Sequence, residues 1–132
     1  MNKIFLFIVI SFSSFSFSQK EIAAWKKQAN QVKIIRDKWG IPHIYGKTDA
    51  DCVFGLMYAQ CEDDFQRVEM NYVTMLGRTA EIKGEKAIYE DLLVRMVIDS
   101  SASVKDYHRS PIWLKKLLNA FADGINYYLF TH

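Results

Sequence analysis

Val32-Lys33-Ile34-Ile35-Arg36-Asp37-Lys38-Trp39-Gly40-Ile41-Pro42-His43-Ile44-Tyr45-Gly46, followed after one residue by Thr48-Asp49-Ala50-Asp51, is the stretch that decides the fold class. Val32 to Asp37 is strand-like, with partial alternation of apolar and polar side chains. Lys38 to Pro42 reads as a turn, because Gly40 supplies backbone freedom and Pro42 fixes φ. His43 to Gly46 is a second short strand, so the two form a hairpin. A lone hairpin is marginal in water and needs a larger sheet to join. Thr48 and Asp51 then resemble a capping box, with a hydroxyl at the cap and an acid three residues on. Strands followed by a capped helix predict an α+β chain.

Downstream of the cap, Phe54, Met57, Tyr58, Cys61, Phe65, Val68, Tyr72 and Met75 recur every three or four residues, which makes one helical stripe. Gly77 is placed to stop it. Gly55 weakens the first turns, and a kink is expected between Gly55 and Glu62. Thr79 to Gly84 extends the helical region to a second glycine stop. Tyr89 to Ile98 reads as a helix with Leu92, Leu93 and Met96 inward, and Ser100 to Ser103 as a loop or cap. Ser110-Pro111 opens another helix, with Ser at the N-cap and Pro at the first helical position. Trp113, Leu117, Leu118, Phe121, Ile125, Tyr128 and Leu129 follow with helical spacing. Gly124 inside that pattern predicts close packing against a neighbour.

Upstream, residues 19–31 are polar and read as a linker. Residues 1–18 differ from the rest. Lys3, the apolar run Ile4-Phe5-Leu6-Phe7-Ile8-Val9-Ile10 and the small residues Ser16 and Ser18 fit a secretory signal peptide cut after Ser18. The run is far shorter than the ~20 residues that span a bilayer. Localisation is therefore expected to be periplasmic or secreted, without a stable membrane anchor.

The chain has 132 residues, with 17 Lys and Arg against 15 Asp and Glu, which limits it to one ordinary domain and leaves it nearly neutral. The basic residues are scattered, which argues against a nucleic-acid partner. Export makes the two cysteines worth testing for a bridge. On one continuous helix, Cys52 and Cys61 would lie roughly 13 Å apart along the axis. A disulfide needs Cα atoms within about 7 Å. Two buried free thiols are expected.

There is no Gly-x-Ser-x-Gly elbow, no His-Glu-x-x-His and no Cys-x-x-Cys. His43, His108 and His132 fall in different elements, and His43 reads as a structural hydrogen bonder. The acidic cluster Glu62-Asp63-Asp64, with Glu69, has the oxygen ligands that suit calcium. Consecutive helical carboxylates point in different directions, so an ion-paired face with Arg67, Arg78 and Arg36 is the preferred reading. No catalytic, cofactor-binding or metal-binding residue is assigned.

The order of these pieces resembles the penicillin acylase family of N-terminal-nucleophile hydrolases. The resemblance runs from Ile35 to Gly46, through Asp49-Ala50-Asp51, Phe54 to Asp63, Phe65 to Met70 and Gly77 to Gly84, to Phe121-Ala122-Asp123-Gly124-Ile125-Asn126. It covers residues 32–129. Asp64 departs from the family, which usually carries Arg there, and Met57 stands where a small residue is common. The resemblance implies a fragment of a four-layer αββα sandwich and an exported precursor that cuts itself into α and β chains. It implies hydrolysis of linear amides such as penicillins, cephalosporins or acyl-homoserine lactones. The nucleophile would be the Ser at the β-chain N-terminus, activated by its own amino group. No Ser-Asn step of the kind that opens the β chain occurs here. Residues 32–132 are then a partial α-chain segment, inactive alone, whose partners are the rest of the α chain and the β chain. Calcium is implied for the full enzyme and not for this segment. The rival readings are a stand-alone secreted helical binding module and a decayed gene product without activity.

Overall fold

The computed structural model describes residues 17–132, so the leader expected over 1–18 lies outside it apart from Phe17 and Ser18. The hairpin forms as the sequence predicts. β1 (Val32–Arg36) and β2 (Pro42–Gly46) pair antiparallel, with Val32 opposite Gly46, Ile34 opposite Ile44 and Arg36 opposite Pro42. The Asp37 carboxylate closes the turn by accepting from the amides of Trp39 at 2.8 Å and Ile41 at 3.0 Å. Val32, Ile34 and Ile44 are half-buried on one face, while Lys33, Ile35, His43 and Tyr45 point away.

α2 (Asp49–Met75) carries that face. Its capping box is present: the Thr48 hydroxyl accepts from the Asp51 amide at 3.3 Å, and the Asp51 carboxylate accepts from the Thr48 amide at 3.1 Å. Gly55 explains how the sheet lies so close to the helix. A Cβ there would fall 2.5 Å from Val32 Cγ1 and 2.8 Å from Ile44 Cγ2. The kink lies just beyond its expected window. Asp64 leaves helical geometry, with φ −161° and ψ 77°, and its carboxylate accepts from the Arg67 amide at 3.0 Å. Asp64 thus serves as an N-cap inside the helix, starting its second half. The break follows this side chain, not the glycine.

α6 (Ile112–Thr131) packs along α2, and two clusters fill the seam. Met57, Cys61, Val68 and Ile125 form one, flanked by Phe65 and Tyr128. Trp25, Phe54 and Ala120 form the other, flanked by Ile22, Val32 and Tyr127. Gly124 sits against the Phe54 carbonyl, which confirms the close packing expected of it.

Several expectations are corrected. Residues 19–31 are not a linker: α1 (Gln19–Ala29) is a capped helix that buries Trp25 to 3 % exposure. Its polar composition hides one aromatic anchor, whose indole N–H donates to Asp123 at 2.8 Å. Ser100 to Ser103 belong to α5 (Ser100–Arg109), whose cap is Asp99, accepting from the amides of Ser101 and Ala102 at 2.8 and 3.1 Å. Ser110 does not cap α6; its hydroxyl turns back to the Asp106 carbonyl at 2.7 Å, and Pro111 occupies the cap position without a side-chain bond.

Between α2 and α5, α3 (Ala80–Lys83) ends at Gly84 as expected, and a 3₁₀ turn (Glu85–Ala87) leads into α4 (Ile88–Val97). Leu92, Leu93 and Met96 are not inward: they are 54, 62 and 84 % exposed. α4 is held instead by its polar side. Asp91 accepts from the amides of Thr79 and Ala80 at 2.8 and 2.7 Å, and Arg95 donates to the Gly77 carbonyl at 3.0 Å.

Candidate functional site

The acidic cluster predicted from sequence meets the hairpin at the kink of α2. Arg36, at the end of β1, is the joint. Its guanidinium lies 3.1 Å from Glu62 and 2.8 Å from Asp63, and donates to the Gly40 carbonyl at 3.0 Å. One planar fork thereby ties the hairpin turn to two consecutive helical carboxylates. Hydrogen bonding to Glu62, outweighing partial desolvation, holds the Arg36 guanidinium above its ordinary value. Asp64 turns the other way onto Arg67, 2.8 Å from its guanidinium. The Arg67 amide and side chain hold the Asp64 carboxyl below the usual range. Arg78 is not part of this group; it pairs with Glu81 at 2.6 Å. Glu69 is exposed beyond the kink.

Glu62, Asp63 and Asp64 each face an arginine, and among the described residues no group of three His, Cys, Asp or Glu side chains is placed to hold a metal ion. His43 is exposed, with Nε2 3.4 Å from the Asp37 carboxylate. Burial alone would raise the Asp37 carboxyl, but the amides of Trp39 and Ile41, with His43, hold it low. The two cysteines are free thiols, Cys61 buried and Cys52 partly so. Burial pushes the Cys61 thiol up, which makes it a poor nucleophile.

Behind Arg36 an open cleft of about 450 Å³ runs between the hairpin, α2 and α6. Val32, Ile34, Phe54, Tyr58 and Tyr127 give it apolar walls, and Arg36 and Glu62 form its charged mouth. Its lining carries no Ser, Thr, Cys or His; its hydroxyls are the phenols of Tyr58 and Tyr127, and the His132 ring lies 6.4 Å from that of Tyr58. Sequence reasoning found Arg36 only as one of three partners, and missed Trp25 and its bond to Asp123, because Trp25 stands in no periodic pattern.

A hairpin laid across a capped, kinked helix, with a second helix packed along it, makes a helix-rich α+β arrangement. The solved structure of the thermostable penicillin G acylase from Alcaligenes faecalis in its tetragonal form shares this fold, with a TM-score of 0.69 at 23 % identity, over 76 % of this chain and 53 % of that one. The sequence profile of the penicillin amidase family matches residues 31–132, and the chain belongs to that family. It is 33 % identical over 98 residues to the penicillin acylase 2 proenzyme of Pseudomonas sp. (strain SE83), covering 74 % of this chain and 13 % of that protein. It is 28 % identical over 107 residues to the acyl-homoserine lactone acylase QuiP of Pseudomonas putida, covering 81 % of this chain and 13 % of that one. The chain therefore spans about an eighth of the length of these relatives.

Proposed function

We propose that this chain is the N-terminal portion of an exported amidohydrolase precursor that hydrolyses linear amide C–N bonds, with β-lactam side chains and acyl-homoserine lactones as the substrate classes. Catalysis would follow the acyl-transfer route that the family resemblance implies. The Ser at the start of a β chain attacks the amide carbonyl, its own α-amino group takes the proton, and an oxyanion hole stabilises the tetrahedral intermediate. On this reading residues 17–132 supply framework to an αββα sandwich completed by the rest of the α chain and the β chain, and hydrolyse nothing alone. Any calcium would be held elsewhere in the complete enzyme.

The observation that carries the reading is the family match across residues 31–132, on a fold shared with a penicillin G acylase. The exposed apolar side chains support it. Tyr89, Met96, Ile112 and Trp113 are 84, 84, 75 and 63 % exposed, which suits surfaces that other parts of a larger protein cover. Export rests on the sequence of residues 1–18, and no helix among the described residues is long and apolar enough to cross a membrane.

The test compares the purified segment with the same segment joined to its downstream coding sequence, using an acyl-amide reporter. Hydrolysis is expected only from the joined protein, and is expected to vanish when the first Ser of its β chain is replaced by Ala. Turnover by the segment alone, or a downstream frame that encodes no β chain, refutes the proposal.

A further inference from the structure

The register of the hairpin sets which backbone groups point out of it. The Asp37 N–H donates to the Ile41 carbonyl at 3.1 Å, so residues 37 and 41 form a hydrogen-bonded pair at the turn. Such pairs alternate along an antiparallel ladder, which makes Ile35–His43 and Lys33–Tyr45 hydrogen-bonded as well. The N–H and C=O groups of Val32, Ile34 and Arg36 therefore point out along the free edge of β1. The corresponding groups of Pro42, Ile44 and Gly46 point out along the free edge of β2. Pro42 has no N–H to offer, which blunts that edge. The β1 edge keeps all three donors and acceptors, and among the described residues the sheet ends there. The same three residues of β1 line the cleft of about 450 Å³, whose far wall is Phe54, Tyr58 and Tyr127.

We infer that the cleft is a strand-docking groove: an extended segment of the same precursor, from beyond His132, pairs with β1 and fills the cleft with alternate apolar side chains. The inference rests on the proposed function, under which most of the polypeptide lies outside this segment. Residues directly opposite each other on neighbouring strands share a face. The residues facing Val32, Ile34 and Arg36 would thus point into the cleft, while their backbone completes the edge. Val32 to Arg36 spans about 13 Å at ~3.3 Å per residue, which seats a strand of about five residues. Other occupants fit less well. An apolar small molecule would dry the cleft yet leave the edge N–H and C=O groups without partners. A second copy would pair β1 with β1, but its Val32 side chain is already committed to its own α2, where it lies 2.5 Å from the position of a Cβ on Gly55.

The experiment uses the joined protein of the preceding test. Residue-resolved hydrogen exchange compares the Ile34 amide with Lys33 and Ile35 on either side, whose amides donate to β2. With a strand on the edge, Ile34 exchanges within about a factor of ten of its neighbours; on an open edge it exchanges on the order of 100-fold faster. The comparison is internal and needs no substitution. In parallel, Tyr58→p-benzoylphenylalanine sets a photo-crosslinker in the cleft wall, and mass spectrometry identifies what it captures. Slow exchange at Ile34 and capture of a segment beyond His132 with alternating apolar residues are expected. Fast exchange at Ile34 overturns the inference, as does capture of a second copy, of a small molecule or of a segment without that alternation. If the same protein still hydrolyses the acyl-amide reporter, the proposed function stands and only the docking groove falls. A joined protein without hydrolysis removes the proposed function, and this inference with it.

Discussion

Replacing Gly124 by Ala will open the seam between α2 and α6. A Cβ at residue 124 lands against the Phe54 carbonyl oxygen and 3.0 Å from Met57 Cβ. The obstructing oxygen belongs to a backbone carbonyl, so no rotamer change relieves the contact. Carbon–oxygen contacts settle at ~3.3 Å or beyond, so α6 must withdraw by something on the order of 1 Å. A gap of ~0.5–1 Å forfeits a quarter to a half of the dispersion energy at each contact it separates. Both buried clusters lie on this seam, which puts the cost at the upper end of the overpacking range, about 3 kcal/mol. Ala regains about 1 kcal/mol of helix propensity over Gly, leaving a net loss of about 2 kcal/mol. Cys61 provides the readout, because it lies on the seam with 1 % exposure. In a Cys52→Ser background, its thiol-labelling rate in native buffer reports the population in which the helices have parted. The expected acceleration is about 30-fold, since each 1.4 kcal/mol is a factor of ten. Labelling that is unchanged or slower in Gly124→Ala refutes the reasoning, because propensity would then outweigh a contact too loose to matter.

Trp25→Phe keeps the buried ring but leaves Asp123 without its indole donor, at a cost of about 1–3 kcal/mol, seen as faster amide exchange in α1. Trp25→Ala should cost about 3–5 kcal/mol and detach α1 from α6 in the same measurement. Thr48→Ala removes one half of the capping box and should weaken the first turn of α2 by about 1 kcal/mol, read as faster exchange at Asp51 and Cys52. Asp91 predicts acid sensitivity around α3. Its burial pushes the carboxyl up, but the amides of Ala80 and Thr79 outweigh that and hold it below the usual range. A folded-state value below the unfolded one gives stability that is present above the unfolded value and lost as pH falls through the folded one. Protection of the Thr79 and Ala80 amides should therefore persist at neutral pH and collapse in acid below about pH 4, whereas Asp91→Asn should be weak at every pH. Equal acid profiles for the two proteins would contradict this.

What the sequence determined by itself is local or periodic. The hairpin, the Thr48–Asp51 cap, the stripes of α2 and α6 and the tight seat of Gly124 follow from turn chemistry, capping and helical spacing, all confined to a few neighbouring residues. The same signals, in their order, carried the family resemblance and so the proposed chemistry. What only the tertiary structure decided depends on partners distant in sequence. α1 reads as a polar linker because its helix is anchored by one aromatic, Trp25, whose partner Asp123 lies 98 residues away. Arg36 becomes the joint between hairpin and helix only when folding brings Glu62 and Asp63 to it. Asp64 looked like one more member of an acidic cluster, yet its side chain caps a restarted helix. The direction of Leu92, Leu93 and Met96 was misjudged for the converse reason. Periodicity marks an apolar face, but which side meets a neighbour depends on where the chain anchors the helix, and α4 is anchored by Asp91 and Arg95.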